Sequence, residues 1–165
     1  MSEFIVYTDG GCSNNPGPGA WAYVIHFGDR YHEDSGFEPE TTNNRMELMA
    51  VIQALTFLRE LKLKTGAAAS GSPAGPRWLS APVKIHTDSQ YVRNGITTWI
   101  SSWKLRGWKT ADKKPVKNQE LWTRLDALVQ ELRPEFFWVE GHAGNPDNER
   151  CDSNVRALIK AQASK

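Results

Sequence analysis

Apolar and polar positions along this chain switch between two periods, the short one of a strand and the longer one of a helix. Phe4-Ile5-Val6-Tyr7-Thr8 runs as a strand should and then meets a breaker-rich stretch from Gly10 to Gly19. Ala20 to Phe27 predicts a second strand and Tyr31 to Phe37 a third, with turn residues between them that favour an antiparallel meander. From Asn43 to about Leu63 the period becomes helical: Gln53, Thr56, Arg59 and Glu60 share one side, while Ala50, Val51, Ala54, Leu58 and Leu61 lie opposite. Glu47 falls in the middle of that apolar stripe. Further along come a strand at Val83–Thr87, a helix from about Ser89 through Trp99, a helix from Gln119 to Leu132, a strand at Phe136–Val139 and a helix from Asn148 to Ala163. A meander followed by strands alternating with helices predicts a mixed sheet with helices packed against it.

Between these blocks, residues 65–82 change character. They are rich in Ala, Gly, Ser and Pro, with Arg77-Trp78-Leu79 embedded, and read as a flexible surface insert within one domain spanning 1–165. A chain of 165 residues, 39% hydrophobic and 24% charged, is large enough for a real core. No apolar run reaches membrane-spanning length, and Met1 to Phe4 lacks a signal-peptide pattern, so a cytoplasmic monomer with no membrane partner is the expectation. Cys12 and Cys151 form neither a disulfide framework nor a zinc pattern and are expected to be reduced packing thiols. The net charge of +1 hides a local patch: from Arg93 to Lys117 seven basic residues face one acid, Asp112, and Trp99, Trp103 and Trp108 interleave with them. Such a segment points to phosphate rather than to a merely solvated face.

Four carboxylates carry the candidate chemistry. Asp9 ends the first strand-like run and Asp88 the Val83–Thr87 run, while Glu47 and Asp152 fall in the first turns of two helices. Collected on one spot, they would repel one another severely without a cation, and oxygen-only ligands suit Mg²⁺ or Mn²⁺. Three have a plainer reading: Asp9-Gly10-Gly11 as a turn, Asp88-Ser89-Gln90 as a helix cap, Glu47 as a helix-dipole partner or a solvated end. His142, in the breaker-rich run Gly141 to Pro146, fits proton transfer beside an acidic cluster. Asn14 to Gly19 lacks the Lys-Ser/Thr of a phosphate-binding loop, and His142 has no neighbours at zinc-ligand spacing.

The strings Tyr7-Thr8-Asp9-Gly10, Asn14 to Gly19, Thr41 to Leu48 and Thr87 to Val92 closely resemble type 1 ribonuclease H, the bacterial ribonuclease HI group. Trp103-Lys104, Arg106 to Thr110, Gly141 to Gly144 and Asn148 to Asp152 resemble it too; only the 65–82 insert lies outside the match. The resemblance implies an α/β fold with a five-stranded mixed sheet flanked by helices. It implies an endonuclease that hydrolyses RNA paired to DNA by two-metal-ion catalysis, leaving 5′-phosphate and 3′-hydroxyl ends. Asp9, Glu47, Asp88 and Asp152 would be the ligands for Mg²⁺, with Mn²⁺ a possible substitute, and His142 the proton-handling residue. Thr42 and Asn118 would hold a DNA phosphate, and Cys12, Asn15, Asn43, Asn44 and Gln90 would contact the hybrid. Trp99, Trp103, Lys104, Arg106, Trp108 and Lys109 would form a basic handle for the DNA strand. Four places depart from the pattern: Glu40 and Glu140 stand where basic residues are usual, Leu105 interrupts the basic run, and Ser153-Asn154-Val155 replaces a more usual Glu-Leu-Ala. A non-catalytic hybrid-binding module and a DNA-directed nuclease of the same broad fold are the competing readings.

Overall fold

The structure, a computed structural model, describes residues 3–68, 80–139 and 145–163. Its centre is a five-stranded sheet in the order β3-β2-β1-β4-β5. Strands β1 (Phe4–Cys12), β2 (Gly17–Phe27) and β3 (Arg30–Thr41) form the antiparallel meander, while β4 (Val83–Thr87) and β5 (Glu135–Trp138) add to β1 in parallel. Helix α1 (Asn43–Ala68) crosses one face with α4 (Gln119–Leu132) beside it, and α5 (Pro146–Ala163) covers β1 and β2 on the other. The larger core lies under α1 and α4, around Leu48, Ile52, Leu55, Leu58, Ile85, Trp122 and Leu125, all fully buried. A smaller one, with Val24, Cys151 and Val155, lies under α5. Among the described residues no helix is long and apolar enough to cross a membrane.

Several elements run differently from the sequence expectation; β2 starts earlier, at Gly17, and β5 is shifted back by one residue to Glu135–Trp138. Strand β1 does not stop at Asp9; it continues through Gly10 and Gly11 to Cys12, paired with Trp21 to Gly19 of β2. The two glycines therefore serve close packing rather than a turn. A Cβ on Gly10 would collide with the backbone of Met46 and Glu47, so its absence lets α1 lie against the strand beside the acidic cluster. Strand β3 runs past Phe37 to Thr41; it is the outer strand, where Pro39 removes no needed hydrogen bond. Helix α1 continues beyond Leu63 to Ala68, taking the first residues of the expected insert into the helix, as Ala's high propensity favours. The rest of that insert, 69–79, lies outside the described residues.

The segment after β4 is also more segmented than one helix. It divides into α2 (Gln90–Asn94), a wide π-helical turn at Gly95–Trp99 and α3 (Ile100–Leu105). Gly95 sits where any side chain would strike the Trp122 ring. The widened turn brings Ile96, Trp99, Ile100 and Trp103 all onto the core side. Arg45 ties the neighbouring elements together: it donates to both oxygens of Glu38 on β3, at 2.8 and 3.3 Å, and to Glu120 on α4 at 3.2 Å.

Candidate active site and nucleic-acid interface

The register of two parallel strands sets the first pair of carboxylates. Tyr7 of β1 lies beside His86 of β4, so two residues further on Asp9, within β1, and Asp88, just past the end of β4, come to the same side of the sheet. Glu47 reaches the same place from the second turn of α1, and the Ser89 hydroxyl donates a short hydrogen bond to its Oε2. Ser89 also caps α2, accepting from the Val92 amide at 3.1 Å, so one hydroxyl starts a helix and orients a carboxylate. Asp152 comes from the second turn of α5, its Oδ2 accepting from Arg156 at 3.0 Å. Asp9, Asp88 and Asp152 line a crevice of about 560 Å³ with Gly10, Gly11, Cys12 and Asn43.

Asp9 feels the other three carboxylates, and Glu47 feels Asp88. Burial is the main cause that raises Asp9 to about 8; Asp88 and Asp152 add to it, the Gly10 amide opposes it, and Glu47 adds a little more. Glu47 is raised first by burial and then by Asp88, against the Ser89 hydrogen bond. Such a cluster tolerates full ionisation only with a counter-charge. The donors are all carboxylate oxygens and the crevice is open, which fits a hard divalent cation. Among the described residues no three His, Cys, Asp or Glu side chains already form a cation cage. Ser89 and Arg156 hold two of the four carboxylates in the meantime, and a bound cation would compete with both.

Other expected site residues fall into three places. Asn15, Thr42, Asn44 and Asn118 line a groove of about 790 Å³ with Tyr91, Trp103, Lys114 and Lys117. Their polar ends are pre-set by internal bonds. Asn15 Oδ1 accepts from the Asn43 amide at 3.1 Å, Thr42 Oγ1 from the Arg45 amide at 3.2 Å, and Asn118 Nδ2 donates to the Tyr91 hydroxyl at 3.3 Å. Cys12 and Asn43 border the carboxylate crevice, and Gln90 is exposed beside Asp88. The Cys12 thiol lies 3.3 Å from the Gly17 carbonyl and 3.2 Å from that of Thr41, stitching the end of β1 to its neighbours. The Cys151 thiol donates to the Tyr7 carbonyl at 3.4 Å; both cysteines are free thiols, as expected.

In the basic segment the aromatic and cationic residues separate. Trp99, Trp103 and Trp108 are half-buried and pack in sequence, with ring centroids 5.7 and 6.3 Å apart, and Trp103 meets Trp122 edge-on at 5.5 Å. They fasten the protrusion to the body before they offer a surface to anything else. Lys104 turns back to Asp126 on α4 at 2.7 Å, whereas Arg106 and Lys109 are exposed. Leu105 is 90% exposed between them.

His142 and Glu140 lie outside the described residues. The loop that bears His142 re-enters at Asn145, a residue the sequence reading passed over. Its Oδ1 accepts from the Asp147 and Asn148 amides at 2.9 and 3.0 Å, capping α5, while its Nδ2 donates to the Tyr7 hydroxyl at 3.1 Å. Asn followed by Pro is a helix-start signal that would have moved α5 back to Pro146. The Asp152–Arg156 pair was likewise visible as an i, i+4 spacing.

The family model for RNase H matches residues 1–160 of this chain. A ribonuclease H of Treponema denticola is 53% identical over 150 residues, covering 89% of this chain and 91% of that protein. Among solved structures, LC9-RNase H1, a type 1 RNase H, overlays with a TM-score of 0.73 at 28% identity, covering 98% of this chain and 74% of that one. LC11-RNase H1, crystallised in complex with RNA/DNA hybrid, overlays with a TM-score of 0.64 at 24% identity, covering 98% and 99% of the two chains. With the family model matching residues 1–160, shared residues running along nearly all of both sequences, and the expected sheet order, this chain belongs to the ribonuclease H family.

Proposed function

We propose that this protein hydrolyses the RNA strand of RNA/DNA hybrids using two divalent cations, Mg²⁺ by preference with Mn²⁺ able to substitute, and leaves 5′-phosphate and 3′-hydroxyl ends. The observation that carries the reading is the convergence of Asp9, Asp88 and Asp152 on one open crevice, with Glu47 close enough to raise Asp9. Bound there, the cations would activate the attacking water, neutralise phosphate charge and stabilise the leaving oxygen. The protein's own part is positional. Asp9 and Asp88 are held side by side by strand register, and Ser89 fixes the direction of Glu47. His142 takes or returns a proton during cutting. Asn15, Asn43, Asn44 and Gln90 carry amides able both to donate and to accept, which suits 2′-hydroxyl recognition. Thr42 and Asn118 take a phosphate of the DNA strand, and Arg106 and Lys109 hold that strand by charge. The LC11-RNase H1 complex with RNA/DNA hybrid supports the choice of substrate.

Residues 1–165 act as one domain, a cytoplasmic monomer that clears RNA primers and R-loops. The test uses labelled RNA/DNA, DNA/DNA and RNA/RNA duplexes, each with Mg²⁺ and with chelator. Cutting confined to the RNA of the hybrid, and abolished by chelator, is the expected result. Binding without cutting would leave a non-catalytic module, and cutting of DNA/DNA would make it a DNA nuclease.

A further inference from the structure

Asp88 borders two crevices, and the function above gives no role to Arg93 or Trp138 in the second. The second, of about 250 Å³, opens between the start of α2 and the end of β5 and is lined by Asp88, Ser89, Gln90, Arg93, Trp138 and Val139. Trp138 is the last residue of β5, set beside Thr87 by the parallel register, with its ring stacked on Phe136 at 5.7 Å. Arg93 is exposed on α2, and its guanidinium carbon stands 5.7 Å from the centre of the Trp138 ring. Among the described residues Arg93 enters no ion pair. A guanidinium laid on an indole is braced without losing its N–H edge, and that planar edge matches two oxygens of a phosphate.

We propose that Arg93, braced by Trp138, grips a phosphate of the RNA strand close to the bond being cut. The proposal rests on the hybrid-cleaving reading and adds a contact on the flank of Asp88 that faces β5. The strand that occupies the carboxylates must pass Asp88, and this crevice is the next depression on that side. The DNA-strand phosphate is assigned to Thr42 and Asn118, whose groove, lined also by the RNA-reading Asn15 and Asn44, shares no residue with this crevice. The phosphate contacted here therefore belongs to the strand that is cut. Gln90 on the same wall offers an amide to the adjoining sugar.

Steady-state cutting of a short hybrid gives the first measurement. Arg93→Ala is expected to raise KM about fivefold with kcat within about twofold, the pattern of lost ground-state binding. Arg93→Lys should recover part of the loss, because it keeps the charge without the fork. The log–log dependence of affinity on salt should flatten by about 0.9 for one phosphate contact removed. The decisive measurement places a single 2′-deoxynucleotide 3′-methylphosphonate, whose linkage is neutral, at successive positions of the RNA strand. The control at each position is the same deoxynucleotide with an ordinary phosphate. Wild-type protein should lose affinity at one linkage near the cut, and Arg93→Ala should be indifferent there while remaining sensitive elsewhere. An unchanged KM and salt slope in Arg93→Ala overturns the proposal. So does an identical methylphosphonate profile for both proteins, or a special sensitivity that appears only when the neutral linkage sits in the DNA strand. If wild-type protein binds the hybrid without cutting it, the hydrolytic reading fails, and the same series read by equilibrium binding still decides the Arg93 contact.

Discussion

The acidic crevice and the basic protrusion are opposite solutions to the problem of placing charge on a folded surface. In the crevice, like charges are half-buried and held together by strand register, by the Ser89 hydroxyl and by the close approach at Gly10. Burial there works against the ionised forms of Asp9 and Glu47. In the protrusion, cations such as Arg106 and Lys109 stand in solvent, and the tryptophans between them are packed toward the core. Solvent relaxes those charges, although Trp108 and Lys113 take left-handed backbone. On the proposed reading chemistry sits on the strained cluster and binding on the relaxed one, so the two functions should separate cleanly under mutation.

The largest effect should come from the strained cluster. Asp88→Asn or Asp9→Asn is expected to remove cutting by a factor of about a thousand or more while hybrid binding persists, because metal-held charge in the transition state is lost. Metal-free stability should hold or rise, since one of several repelling charges is gone. Equal loss of binding and cutting, or a lower melting temperature, would show the cluster to be structural. The same strain sets a pH dependence. Asp9 is raised from 3.8 to about 8 in the folded protein, so the folded state binds its proton more tightly than the unfolded chain does. Its contribution is full below about pH 4 and is lost as pH climbs toward about 8. Metal-free protein should therefore lose stability across that window, and Asp9→Asn or added Mg²⁺ should flatten the slope; thermal unfolding at several pH values reads this directly.

Ser89→Ala sharpens the comparison from within the crevice. Removing the hydroxyl frees Glu47 and uncaps α2 at once, so kcat should fall about tenfold and stability by about 1 kcal/mol. Ser89→Thr, which keeps the hydroxyl, should restore both; restoration of stability alone would separate the cap from the orientation of Glu47.

How far the sequence foretold each region follows from where its information lies. Val83–Thr87 and Gln119–Leu132 were legible to the residue because one burial pattern governs each. Asp9 and Asp88 were legible as partners because both follow apolar strand runs. The course of β1 through Gly10 to Cys12 was not: glycines needed for contact with α1 look the same as glycines needed for a turn. The Ser89–Glu47 bond and the Lys104–Asp126 pair were also hidden, since each joins residues brought together only by packing. The second of these changes the prediction for the protrusion. Replacing Arg106 and Lys109 together should raise KM and flatten the salt dependence by roughly one unit of log–log slope per phosphate contact, with kcat little changed. Lys104→Ala should do much less to the slope, because that ammonium is already engaged. An equal effect from Lys104 would place the hybrid on the α4 side of the protrusion and overturn the division drawn here.

The smallest expected change is a gain. Leu105 is 90% exposed at the end of α3, between Lys104 and Arg106, so its side chain packs against almost nothing. Leu105→Lys therefore removes no core contact and adds a cation at a helix C-terminus, where the backbone carbonyls favour positive charge by a few tenths of a kcal/mol. Stability should stay level or rise slightly. If the protrusion meets a phosphate backbone through its exposed edge, KM should fall about twofold to threefold at low salt, and the salt slope should steepen by up to about 0.9. The gain should vanish at high salt, whereas an effect from better packing would persist. Should the slope steepen in Leu105→Lys but fail to flatten when Arg106 and Lys109 are removed, the edge that meets the strand runs through residue 105 toward α4. The relaxed cluster would then be smaller than its exposed cations imply.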